Sequence, residues 1–206
     1  MTLFLLATGA AVGATLGAVL RRRRYLEADQ PALRWWAVVI AASSCAAAMG
    51  LMAWRIDDPV SLLLGCVFVA GGVVATWTDL DAHLLLDALT WPLAGVLLLI
   101  ITADAATSGH WERWWAAVLA AGAVAGVLLA WAVFGSLGVG DVKFGLSVGL
   151  VLGYVGGWPL TLRGVLVSLI LAAAAAVLLL AVGRSRKSHL PLGPALVVGV
   201  SGCLLW

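Results

Sequence analysis

The sequence predicts an all-α, polytopic membrane protein with about eight transmembrane helices. Three observations predict it. Of the 206 residues, 64% are hydrophobic and only 11% are charged, far from the balance of an average globular domain. Apolar runs of roughly 17 to 22 residues recur from end to end, each long enough to cross a bilayer as a helix. The few charges gather between those runs, because an ionised group inside the hydrocarbon is costly. The chain has no room for a separate soluble domain and no feature that calls for nucleic acid. The partner its composition demands is the lipid bilayer.

Taken in order, residues 2–20 make the first helix. A cleaved signal peptide carries positive charge ahead of its apolar run; here Arg21, Arg22, Arg23 and Arg24 follow it. The run is therefore read as an uncleaved helix with its N-terminus outside. A polar loop with Glu27, Asp29 and Pro31 leads to a second helix over about 34–54. Its Trp35, Trp36 and Trp54 stand near the ends, where an aromatic belt puts them. Residues 55–59 form a tight turn, and a third helix follows over about 60–79. A loop over 80–88 carries Asp81, His83 and Asp87. The fourth helix covers about 88–105, with Pro92 in its first turn, where proline is tolerated. A polar, Trp-rich turn over 107–115 precedes a fifth helix over 114–134. A sixth, short helix spans about 142–157 and is broken by Trp158-Pro159. The seventh covers 163–183. A basic loop with Arg184, Arg186, Lys187 and His189 leads to an eighth over 190–206.

With the N-terminus outside, one side of this layout receives Arg21 to Arg24, Arg34, Lys143, Arg184, Arg186 and Lys187. The other receives Arg55, Arg113 and Arg163. Nine against three follows the positive-inside rule. The same layout brings Asp79 and Asp141 to the cytoplasmic ends of their helices, although neither aspartate was used to build it.

Those two aspartates are the candidates for chemistry. Asp141 closes the glycine-rich turn Gly138-Val139-Gly140-Asp141, and Gly145, Gly149, Gly153 and Gly157 follow in register with it. Asp79 has Ala75, Gly72 and Gly71 behind it on one helical face. Small residues at that spacing form ridges that admit a neighbouring helix closely, and the ridges are expected to bring the two aspartates' helices together. Two adjacent carboxylates cannot both ionise cheaply and tend to share a proton. The ionised one can take a proton from water while the protonated one polarises a peptide carbonyl. That chemistry requires no metal and no cofactor, and the Asp79-x-Asp81 spacing lacks further ligands to complete a metal site. Cys45, Cys66 and Cys203 stand singly in apolar runs. They form no CxxC pair and read as structural thiols.

At these residues the chain resembles the type IV prepilin peptidases, the bacterial leader peptidases of pili and type II secretion. The run from Gly138 to Asp141, continued by Val142-Lys143, resembles their GxGD signature. Asp79 through Pro92 resembles their first-aspartate segment, with Asp87 in the place of its later aspartate and Leu86 where the family usually has proline, a change expected to loosen the loop. Pro191-Leu192-Gly193-Pro194 is similar to their late P-x-G-P element. The resemblance covers about residues 60–206. It implies a six-helix GxGD aspartic peptidase core over 59–206, preceded over 1–58 by two transmembrane helices and a basic cytoplasmic loop. It implies catalytic roles for Asp79 and Asp141, with Gly138, Gly140, Lys143, Asp87, Pro191, Gly193 and Pro194 in support. Lys143 is read as a cytoplasmic-side anchor whose charge would bias which aspartate ionises.

The resemblance further implies an endopeptidase in the bacterial inner membrane, its site facing the cytoplasm. Its partners would be prepilin-like proteins with a short basic leader, a glycine before the scissile bond and an apolar helix after it. Relatives that also N-methylate the product carry a domain with two CxxC pairs. Residues 1–58 contain none, so this form is expected not to methylate. Two rival readings stand beside it. The first is an intramembrane protease of the presenilin or signal-peptide-peptidase type, which shares GxGD and a P-A-L element matched by Pro194-Ala195-Leu196. In that group tyrosine precedes the first aspartate, where this chain has Thr78. The second is a non-enzymatic transporter or scaffold whose acidic pair handles protons or packing.

Overall fold

The computed structural model describes residues 2–21, 35–82, 85–134, 137–181 and 192–206. Arg22–Arg24, Glu27, Asp29, Pro31, Arg34, His83, Arg184, Arg186, Lys187, His189 and Pro191 lie outside the described residues. Among the described residues all regular structure is helical: α1 (Thr2–Arg21), α2 (Trp36–Arg55), α3 (Pro59–Ala82), α4 (Asp87–Ser108), α5 (Trp111–Phe134), α6 (Val139–Ala181) and α7 (Leu192–Leu204). Helices α1 to α6 are long and apolar enough to cross a membrane. Their outward residues are apolar too, among them Leu99, Val127, Leu166 and Leu178, as a hydrocarbon solvent requires. The protein is an all-α, multi-pass membrane protein.

The boundaries follow from local chemistry. Asp58 caps α3: its Oδ2 accepts from the Ser61 backbone N–H at 2.9 Å and from the Ser61 hydroxyl. Pro59 takes the first helical position, where a missing N–H costs nothing. Gly109 ends α4 at φ 80, its N–H donating to the Ala105 carbonyl at 3.0 Å, a left-handed cap that suits glycine. The helix at α4 begins one residue earlier than the sequence suggested, so Pro92 falls in the second turn. Both α3 and α6 extend three residues beyond their expected ends. Asp79 and Asp141 therefore sit inside terminal helical turns, not in the connecting loops.

The 43-residue α6 is two arms. The break is at Gly157, at φ 60 and ψ −152, a conformation open essentially to glycine alone. It is not at Trp158-Pro159; Pro159 instead opens the second arm, and the Thr161 hydroxyl donates back to the Gly157 carbonyl at 2.8 Å. A Cβ on Gly164 would lie 2.5 Å from the Leu152 side chain, which a straight helix could never bring together. The chain therefore doubles back at Gly157, and among the described residues the seven elements contain eight helical segments. The last, α7, has only 13 residues.

The glycine ridges are real, but they serve other neighbours. Gly149 and Gly153 lie against the backbone of Ala121 and Ala117, so the ridge following Asp141 joins α6 to α5. Behind Asp79, Gly71 receives Leu93 of α4 and Gly72 receives Val197 of α7. Neither ridge brings α3 to α6. That junction is made by two fully buried rings, Phe68 and Phe144, with centroids 5.7 Å apart. Bulk joins these two helices because small residues are already committed to closer partners. At the far end of the bundle the Tyr154 hydroxyl donates to Asp104 Oδ2 at 2.7 Å, fastening α6 to α4. Helices α1 and α2 run antiparallel, with Gly17 against Val38 and Gly9 against Ala46. Trp36 at the start of α2 meets Trp77 of α3, centroids 6.2 Å apart.

Candidate active site

Four helix ends converge at one end of the bundle. Asp79 lies in the last turn of α3 and is 7% exposed. The backbone N–H of Gly193, the second residue of α7, donates to Asp79 Oδ2 at 2.8 Å. The first N–H groups of a helix have no partner within it, and the dipole at that end favours negative charge. The start of α7 is thus built to hold a carboxylate. Glycine is needed there for space: a Cβ at 193 would lie 2.8 Å from Asp79 Oδ2 and 3.4 Å from its Cγ. Pro194, next along, has no N–H to offer and fixes φ near the helical value.

Asp141 lies in the first turn of α6, partly buried, its backbone N–H donating to the Gly138 carbonyl at 3.1 Å. The charge of Asp79 acts on it across the site. Asp141 Oδ1 is buried and accepts no hydrogen bond among the described residues. A buried polar atom left without a partner calls for an explanation, and a catalytic role is one such explanation. Carboxylates in this relation can hold one proton between them.

The two glycines of the turn differ. A Cβ on Gly140 would lie 2.7 Å from Leu85 Cβ and 3.1 Å from the Leu85 carbonyl oxygen. Gly140 therefore lets Leu85, just ahead of α4, lie directly on the start of α6. At Gly138 the nearest atom to an added Cβ is Asp141 Oδ2 at 3.5 Å, an ordinary contact. Leu86, the residue before α4, has φ −68, inside the range that proline would impose. Leucine there adopts a backbone geometry that proline would also take.

Lys143 does not turn towards Asp141. Residues two apart on a helix face different ways, and Lys143 Nζ pairs instead with Asp87 Oδ1 at 2.5 Å, from the start of α6 to the start of α4. The sequence marks both residues but does not join them, because an opposite-charge pair 56 positions apart leaves no local signal. It likewise marks Gly193 without its bond to Asp79. A glycine between two prolines at a helix start is the available clue. Asp81, one residue short of the end of α3, is partly exposed.

Residues 66–182, more than half of the chain, match the type IV leader peptidase family. No curated protein matches the chain, and no solved structure does. The matched span opens within α3 ahead of Asp79 and takes in Asp87, Asp141 and Lys143. It closes just beyond α6, before Gly193.

Proposed function

The chain belongs to the type IV leader peptidase family, and from that premise we propose that it is a membrane-embedded aspartic endopeptidase that removes the leader from type IV prepilin-like proteins. Its six-helix core over 59–206 carries the reaction. The observation that carries the reading is the convergence of Asp79 and Asp141 at one end of the bundle, one carboxylate held by a helix N-terminus and the other with a buried oxygen unpaired. The ionised member of the pair takes a proton from a water molecule as that water attacks the scissile carbonyl. The protonated member donates to the carbonyl oxygen as it becomes a hydroxyl. The resulting tetrahedral intermediate collapses with proton transfer to the leaving nitrogen, and the dyad returns to its starting state.

The site faces the cytoplasm of a bacterial cell in this reading, and the protein lies in the inner membrane. Arg21 and Lys143 share the dyad's end of the bundle, while Arg55, Arg113 and Arg163 belong to the other end. Arg21 and Ala181, the last described residues before the two basic stretches of the sequence, lie at the dyad's end. A prepilin-like substrate suits that placement: its apolar helix stays in the bilayer, and its basic leader stays on the positive-inside face.

Asparagine is close to aspartate in shape but cannot cycle the proton. Asp79→Asn and Asp141→Asn should each abolish leader removal from a co-expressed prepilin while the protein still accumulates in the membrane. The double variant should be no worse than either single one, because groups acting as a unit are non-additive. Full processing by either single variant at normal membrane levels would remove the support for an aspartic mechanism.

A further inference from the structure

The two aspartates are anchored very differently. Asp79 stands on a long helix whose core face is buried from Leu62 to Ala75, and α7 reaches its carboxylate directly. Asp141 stands in the first turn of α6, preceded by the non-helical Leu137 and Gly138. A first turn has no helix above it to hold it. A dyad needs both carboxylates held to a fraction of an ångström, so some feature must fix that turn from outside.

Phe144 on Phe68 holds the second turn of α6 to α3, and Leu137 and Val142 pack against the core; two further contacts, on either side of Asp141, come from one short segment. Gly140 lies against Leu85, and Lys143 is paired with Asp87. Residues 85 and 86 lead into α4, which opens at Asp87, and follow α3, which carries Asp79. The contacts fall on either side of Asp141, one residue before it and two after. We propose that Asp87 and Lys143 are a positioning pair, their ion pair clamping the first turn of α6 onto the 85–87 segment and so fixing Asp141 relative to Asp79. This rests on the proposed peptidase function for its kinetic consequence, though not for its geometry.

The clamp differs from a stabilising salt bridge. The Asp87 side chain is 64% exposed and that of Lys143 23%, and pairs so open to solvent add little to global stability. Its effect is local. The pair aims Asp141 and is given no substrate contact of its own, so loosening the clamp lowers kcat and leaves KM in place.

The test joins an activity readout to one that needs no activity. Lys143→Met and Asp87→Ala each remove the pair, and the exchanged double variant, Asp87→Lys with Lys143→Asp, restores it with the charges reversed. In proteoliposomes with a synthetic prepilin segment, each single variant should lose about tenfold in kcat at unchanged KM, because small misplacements of reacting groups are amplified in rate. The exchanged pair should recover most of that loss. In parallel, spin labels are placed at Ala88 and Val139, both exposed, in the full chain with Cys45, Cys66 and Cys203 replaced by alanine. The distance distribution between them should be narrow with the native pair, broad in either single variant, and narrow again on exchange. A distribution and kcat unchanged by Lys143→Met would overturn the clamp. So would losses in the single variants that exchange does not reverse. A wild-type protein that cleaves no prepilin would count against the proposed function, while the label distances would still decide the clamp.

Discussion

Replacing Gly193 by alanine places a methyl group where Asp79 now sits. The added Cβ would be 2.8 Å from Asp79 Oδ2, and ordinary contact begins near 3.4 Å, so one of the two must retreat by about 0.6 Å. The Asp79 side chain is the part able to move, since residue 193 is fixed in the backbone of α7. Retreat lengthens the 2.8 Å bond from the Gly193 N–H towards the limit of a hydrogen bond. Bonds to a charged acceptor contribute about 1.5–3 kcal/mol. If that is lost in full at the transition state, the rate falls by roughly ten- to hundredfold. Displacement of the carboxylate acts in the same direction, since about 1 Å of misplacement can cost a further hundredfold. Global stability should change little, because alanine is the better helix former by up to about 1 kcal/mol and offsets part of the strain. The assay is single-turnover cleavage of a prepilin by protein in proteoliposomes, beside thermal unfolding in detergent. Gly193→Ala should cleave at least tenfold more slowly, with an unfolding midpoint within about 2–4 °C of the wild type. Gly138→Ala, whose Cβ would meet only an ordinary contact, should cleave normally. A Gly193→Ala protein within threefold of wild-type rate would show that α7 does not hold the dyad.

Three further outcomes are expected. Reporter fusions after Arg24, Asp81 and Arg186 should read as cytoplasmic and fusions near Asp57 and Ser108 as exterior; an exterior signal at Asp81 would put the dyad on the wrong side for a basic leader. Intact-mass analysis of a prepilin processed by this chain alone, with a methyl donor present, should show leader removal and no added methyl, and a product heavier by one methyl would contradict it. Leu86→Pro should raise the unfolding midpoint, because the native φ of −68 already suits proline and the substitution removes unfolded-state freedom worth about 0.4–1 kcal/mol; a lowered midpoint would mean that a neighbouring residue rejects the proline.

Membrane class, helix order and the emergence of both aspartates at one end of the bundle were legible because each rests on a sequence-local property. Apolar run length, charge between runs and the position of Arg21 to Arg24 need no knowledge of which helix touches which. Partner choice was not legible. The small-residue spacing behind Asp79 and after Asp141 correctly announced close packing, yet the same spacing serves any neighbour with a complementary face. Ala117 and Ala121 on α5 offered α6 a small-residue face of their own, and the bulky Phe68 and Phe144 were left to join α3 to α6. A ridge motif states how closely a helix can be approached, not by which helix.

The site divides along the same line. Asp79 and Asp141 stood out because a carboxylate at the edge of an apolar run is costly wherever the fold places it. Their supports could not be read that way. Gly193 acts through a backbone N–H, which every residue but proline possesses, so its contribution is invisible until α7 is seen to begin beside Asp79. Lys143 and Asp87 look like solvated charges of an ordinary loop, and half-exposed charges usually are. Their pairing has meaning only because it links the segment after Asp79 to the turn that holds Asp141. The proposed reacting groups are thus marked by their own cost, and the groups proposed to aim them by position alone. Substitutions at Gly193, Asp87 and Lys143 should therefore separate aim from chemistry, slowing the reaction in a protein that still inserts, folds and binds.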